Sequence, residues 1–216
     1  MISKFKDFTR SEQEIFLQSI KDEKYELLFE LDLASGLRLG EILALRWKDI
    51  DIHNKVIHIN QSVVRTRPAN STGSKKTTLM FSTSKNSYSN RKIPIPSNVF
   101  ERILSYKTQQ AIKVTEEKSL VFVSSKSTPV DPRTIIRAFH RIVDKAGLEH
   151  ANFHSLRHFN ATMMMNYGVP VKIASTMLGH STTAITQDLY QHVLYDKDHE
   201  AAEIINQALF NGRNKK

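Results

Sequence analysis

A chain of 216 residues can bury one sizeable core, and its 31 Lys and Arg against 22 Asp and Glu leave a formal charge of +9. That balance fits a polyanionic partner such as nucleic acid, or plain solubility. Having no cysteine, the chain is excluded from disulfides, cysteine-ligated zinc and thiol nucleophiles, and no run approaches the ~18 to 20 apolar residues a membrane span needs.

The start "MISKFKDFTRSEQ" lacks the apolar centre of a signal peptide, so a non-secreted, membrane-free, intracellular protein is expected. "TRSE" sets Thr9 as a helix cap with Glu12 reaching back, opening a helix to about Lys21. "KYELLFELDLAS" reads as a second helix stopped by Gly36, and "LGEILALRW" as a short third, which leaves Arg38 at the junction. "DIDI" and "KVIHI" alternate around His53 and Asn54 as a β-hairpin, with further strands expected in "TLMFS" and "RKIPI". The polar "STSKNSYSN" between those last two suits a mobile hairpin tip carrying Lys85, and "RTRPANSTGSKK" an exposed basic loop.

A helix is expected from Ser97 to about Val114, then a short buried strand in "LVFV". Asp131 and Pro132 start another helix, closed by Gly147. Four helices complete the chain: one from about His154, one between Pro170 and Gly179, one from Thr182 to about Leu194, and one from Asp198 to Phe210. The fold class is therefore α+β and mainly helical, with helices packed around a small antiparallel sheet. With no internal repeat and no long Gly/Ser linker, residues 1–216 are read as a single domain.

The chemistry is concentrated in three short stretches. On a helix, "HSLRH" projects His154, Arg157 and His158 from one face, a cluster that can grip a phosphate, bind a metal or sit solvated. Zinc is disfavoured: Ser155 stands where metalloproteases place their general-base Glu, and an arginine between two ligands repels a cation. In "SGLRLGE", Arg38 is flanked by Gly36 and Gly40, and Glu41 can orient its guanidinium or cap the next helix. An arginine fork suits a phosphate because it donates two parallel charge-assisted hydrogen bonds and stays protonated. Downstream, His180 follows Gly179, and Tyr190 lies ten residues further; a tyrosine can attack phosphorus when cations help it lose its proton.

"SGLRLGE", "TSKNSYSNRKIPIP", "HSLRH", "LGH" and "LYQHV", in that order and spacing, resemble the tyrosine recombinases or phage integrases from Arg38 to Val193. The resemblance implies their catalytic-domain fold. It makes Arg38 and Arg157 phosphate-clamping arginines, His154 and His180 their companion histidines, Tyr190 the nucleophile and Lys85 the β-hairpin lysine, with Lys75, Lys76, Arg91 and Lys92 as nearby alternatives for the last. His158 matches a family histidine not usually counted as catalytic and is expected to pack or bond locally. Arg65, Arg67, Lys75, Lys76 and Arg91 are candidate DNA contacts.

The function so implied is a site-specific DNA recombinase that cleaves and rejoins strands through a covalent 3′-phosphotyrosine, with no cofactor and no metal. The partners implied are double-stranded recombination sites and, in the synaptic complex, a homotetramer built from monomers. Residues 198–216, whose helix carries an apolar stripe, would dock in trans. The setting implied is a prokaryotic cytoplasm, at the nucleoid when active. The N-terminal core-binding and arm-binding domains of the family are missing, so the chain is expected to be a fragment of a longer integrase. The competing readings are a DNA-binding protein of the same fold without catalysis and a type IB topoisomerase.

Overall fold

The computed structural model describes residues 8–67, 77–83, 90–110, 119–184 and 186–187, together with Asn206 and Leu209. Helix α1 (Arg10–Ser19) opens on the expected capping box between Thr9 and Glu12 and buries Phe16. Phe16 packs with Phe8, Phe29 and Phe139, and Phe153 joins the group. These rings form the aromatic centre of the core. Helix α2 (Glu26–Ser35) is apolar almost all round, burying Leu27, Leu28, Phe29, Leu31 and Leu33, as a central helix must. It ends at Gly36 in the left-handed conformation. Arg38 then precedes the short helix α3 (Leu39–Leu43).

Strands β1 (Ile50–Asp51) and β2 (Val56–Ile59) form the expected hairpin, with Ile50 opposite Ile57. Beyond it the pairing departs from the sequence reading. "TLMFS" and "RKIPI" do form strands, β4 (Thr78–Thr83) and β5 (Arg91–Pro94), but they are not partners. β5 adds antiparallel to β2, bringing Ile93 opposite Ile57 on the buried face of a three-stranded sheet. β4 instead pairs with β3 (Gln61–Thr66), a strand not foreseen, and the expected hairpin tip with Lys85 lies outside the described residues. The beginning of the supposed basic loop, Arg65 and Thr66, belongs to β3.

Helix α4 (Ser97–Gln110) follows β5. "LVFV" is buried but is no strand: Leu120 makes one bridge to Arg46 and Val123 one to Pro129, which leaves no ladder. Helix α5 (Pro132–Lys145) begins at the Asp131 cap and presents Ile135, Phe139, Ile142 and Val143 to the core. Helices α6 (Phe153–Asn166) and α7 (Val171–Leu178) follow, and α6 packs on α2. Residues 183, 184, 186 and 187 are helical, as are Asn206 and Leu209; the rest of the two expected C-terminal helices lies outside the described residues. No helix among the described residues is long and apolar enough to cross a membrane.

Candidate active site

The site is assembled at the C-terminal end of α7. A helix end leaves carbonyls without intrahelical partners and carries partial negative charge, so it attracts cations. Three successive carbonyls here each receive one arginine. Arg91 Nε donates to Met177 O at 2.7 Å, Arg157 Nη2 to Leu178 O at 2.6 Å, and Arg38 Nη2 to Gly179 O at 2.9 Å. These arginines come from β5, from α6 and from the residue before α3. One helix terminus thus gathers three distant segments.

Two glycines make the approach feasible. At Gly36, with φ of 60°, an added Cβ would lie 2.7 Å from Asn160 Oδ1 and from a Leu178 methyl; at Gly179, with φ of 67°, it would lie 2.7 Å from Arg91 Nη1. Each needs both a left-handed backbone and an empty side-chain position.

Glu41 anchors two of the arginines. Its carboxylate accepts Arg91 Nη1 and Nη2 at 2.9 and 2.8 Å, and also Arg38 Nη1 at 3.1 Å and the Arg38 backbone N–H at 2.9 Å. Burial alone would raise the Glu41 carboxyl, but the hydrogen bonds and charge of Arg91, with help from Arg38, hold it below the usual carboxylate range. Arg157 is 4% exposed and also donates its Nη1 to Gly36 O. Burial and the neighbouring Arg38 push its guanidinium down to about 10. Arg38, by contrast, leaves 44% of its side chain open to solvent.

The structure brings His154 and His180 to the same cluster. Partial burial, with the charges of His158, Arg157 and Arg38, pushes His154 down to about 4. Partial burial also takes His180 to about 4, aided by Arg157 and Arg38. Near neutrality both rings are neutral, able to donate one hydrogen bond and accept another. The Nδ1 of His180 lies 2.9 Å from the hydroxyl of buried Thr186. His158 stands edge-on to His154, ring centroids 4.5 Å apart.

Among the expected DNA contacts, Arg67 is exposed. Arg65 is paired with Asp131 and bonded to Thr77. Arg91 requires a correction: buried, it gives both Nη atoms to the Glu41 carboxylate and its Nε to Met177 O, which makes it a scaffold cation rather than the DNA contact expected. Period-2 alternation carried that signal, since Arg91, Ile93 and Ile95 share the buried face of "RKIPI". Lys75, Lys76, Lys85 and Tyr190 lie outside the described residues. Among the described residues no three His, Asp or Glu come together as a metal site needs.

The phage integrase family profile matches residues 6–197. The chain belongs to the phage integrase family. Over 92% of its length this integrase-family chain is 29% identical to a XerC-like tyrosine recombinase of Caldanaerobacter subterraneus subsp. tengcongensis, covering 54% of that protein. It is 27% identical to the integrase of Staphylococcus phage L54a over 84% of the chain and 51% of the relative. The chain thus spans about half the length of these curated relatives. Among solved structures it superposes on the Tn1549 transposon integrase bound to transposon right-end DNA, with a TM-score of 0.77 at 21% identity, covering 97% of this chain and 67% of that one. XerA recombinase matches with a TM-score of 0.68 at 19% identity, over 89% of this chain and 65% of its own. The fold is that of tyrosine recombinase catalytic domains.

Proposed function

We propose that this integrase-family chain is the catalytic domain of a site-specific DNA recombinase that exchanges strands through a 3′-phosphotyrosine. The observation that carries this reading is the convergence of Arg38 and Arg157, from segments 119 residues apart, on one helix terminus beside His154 and His180. Both histidines feel both arginines. A phosphodiester, with one negative charge and two non-bridging oxygens, matches this set.

In the reaction proposed, the Tyr190 oxygen attacks phosphorus as its proton passes to His154. The bond to the 5′-oxygen breaks, and that oxygen takes a proton from Lys85. Arg38 and Arg157 stabilise the charge that builds on the non-bridging oxygens, and His180 donates a hydrogen bond to one of them. A 5′-hydroxyl from a partner strand then reverses the steps, so the energy of the broken bond is kept in the phosphotyrosine link. His180 is already oriented for its part by Thr186, and Tyr190 stands four residues beyond that threonine.

The proposed substrate is a double-stranded recombination site held by four protomers across two duplexes. The proposed setting is a prokaryotic cytoplasm, with action at the nucleoid. Incubation with a nicked duplex bearing the cognate site, in the presence of EDTA, tests the reading, since the short cut fragment diffuses away and traps the adduct. A DNA–protein complex that survives denaturant is expected. A protein that binds the duplex but never forms that complex is a DNA-binding member without catalysis.

A further inference from the structure

We propose that Thr186 is a positioning residue whose hydroxyl donates its proton to Nδ1 of His180, so that the ring presents Nε2–H to the DNA phosphate. The inference rests on the phosphate-clamp reading above and names the group that prepares its histidine donor. His180 Nδ1 and the Thr186 hydroxyl oxygen are 2.9 Å apart. Thr186 is fully buried, among the helical residues 183, 184, 186 and 187 that follow the end of α7. The His180 backbone is fixed separately, its N–H donating to Ser175 O at 3.1 Å. Only the side-chain torsions are then left free, and a hydrogen bond from a stiff, β-branched residue sets the direction of the ring.

A contact of this kind can run either way, because a hydroxyl and a neutral imidazole can each donate or accept. Other helical hydroxyls of the molecule show what decides it. Ser19, Ser35, Thr108 and Thr176 each donate back to the carbonyl four residues earlier in their own helix. A Thr186 proton spent in that way would leave its oxygen as an acceptor, and Nδ1 would have to carry the ring proton. Among the described residues Thr186 makes no such bond, and its hydroxyl meets His180 instead. The hydroxyl proton is therefore left for Nδ1.

The surroundings of the ring favour a neutral partner that donates. Arg157, His154 and His158 act on it from α6 and Arg38 from the start of α3, while Arg91 of β5 and Lys172 of α7 line the cavity beside it. None of these is a carboxylate, and Glu41 is committed to Arg91 and Arg38. A carboxylate or carbonyl on Nδ1 could only accept. It would draw the ring proton to Nδ1 and turn the Nε2 lone pair toward the phosphate, which repels it. A hydroxyl gives the opposite tautomer and adds no negative charge to a site meant for an anion.

The test compares wild type with Thr186→Val, which keeps the branched shape without the hydroxyl, and with Thr186→Ser, which keeps the hydroxyl. In nitrogen NMR spectra of histidine-labelled protein without DNA, His180 is assigned by its loss in His180→Gln. Wild type should show the Nε2–H tautomer, with the Nδ1 signal displaced by an incoming hydrogen bond; Thr186→Val should return that signal toward the position of an unbonded nitrogen. A wild-type ring protonated on Nδ1, or an Nδ1 signal unmoved in Thr186→Val, overturns the proposal. On the nicked duplex, single-turnover cleavage by Thr186→Val should fall roughly 10- to 100-fold, the usual cost of removing the group that orients a functional histidine, with duplex Kd within about threefold. Thr186→Ser should recover most of that rate, and Thr186→Val should cost nothing further in a His180→Gln background, because it acts through that ring. An equal loss in both backgrounds, or a serine variant as slow as the valine one, means a packing role and overturns the proposal. Should Thr186→Val fail to fold, the wild-type tautomer and the Thr186→Ser rate decide. A wild-type protein that never forms the covalent adduct would sink the recombinase reading, while the spectra without DNA still decide the Thr186 bond.

Discussion

Arg157 is held by two backbone carbonyls, Gly36 O and Leu178 O, so its fork is fixed before any substrate arrives. In the proposed clamp, that fixing would serve the transition state, because a preorganised donor need not be reoriented as charge develops. Arg157→Lys keeps a positive charge but loses the planar fork. By the usual worth of one such donor, ~3 to 4 kcal/mol, single-turnover cleavage should fall by roughly 10² to 10³. Duplex affinity, measured in parallel, should stay within about threefold, since the charge is retained; equal losses in both would argue against a clamp. The depressed histidines make a second prediction. With His154 and His180 near 4 in the folded protein against an ordinary 6.5, the unfolded chain binds more protons between those values. Stability is therefore complete above about 6.5 and is lost as pH falls toward about 4. Solvent screens part of this at His154, which keeps an exposed edge. The urea midpoint should drop across that window, and a His180→Gln protein should show a shallower drop; a slope unchanged by that substitution would contradict the account.

The Glu41–Arg91 pair ties α3 to β5 almost out of solvent, with side-chain exposures of 6% and 3%. Removing one partner of such a pair strands the other charge, so Arg91→Met should destabilise by ~3 to 5 kcal/mol in denaturant unfolding. Adding Glu41→Leu should recover part of that loss; a double variant no more stable than the single would mean that the pair's geometry, not its charge, matters. Much of the element layout was legible because its signals are local. The Thr9 capping box, the Gly36 stop, the Asp131–Pro132 start and the Gly179 stop all stand where the sequence places them. What stayed illegible depends on distant partners. β3 buries only Val63 along "QSVVRT", too little to show an alternating pattern, and it is defined by its pairing with β4. "LVFV" has the composition of a strand but finds only single bridges. The burial of Asp32 was hidden for the same reason, since a charged residue in a short segment reads as surface until the elements packed over it are known.

Arg38, the His154–Arg157 pair and His180 come from three separate segments, and the fold brings them together at the end of α7. Those residues were legible from the order and spacing of their motifs, while the three-carbonyl arrangement that organises them was not, because helix-end carbonyls leave no mark on composition. The proposed assembly makes a prediction at this scale: deleting residues after Lys197 should leave the monomer's unfolding midpoint unchanged but reduce multi-protomer complexes on DNA in sedimentation. A truncated protein that unfolds earlier or aggregates would place the C-terminal segment in its own core instead. The most direct measurement is peptide mapping of the covalent adduct trapped on a nicked duplex. The account predicts a 3′-linked nucleotide on Tyr190 and no adduct from Tyr190→Phe; a nucleotide on Tyr167 or Tyr195, or an adduct that persists in that variant, would contradict it.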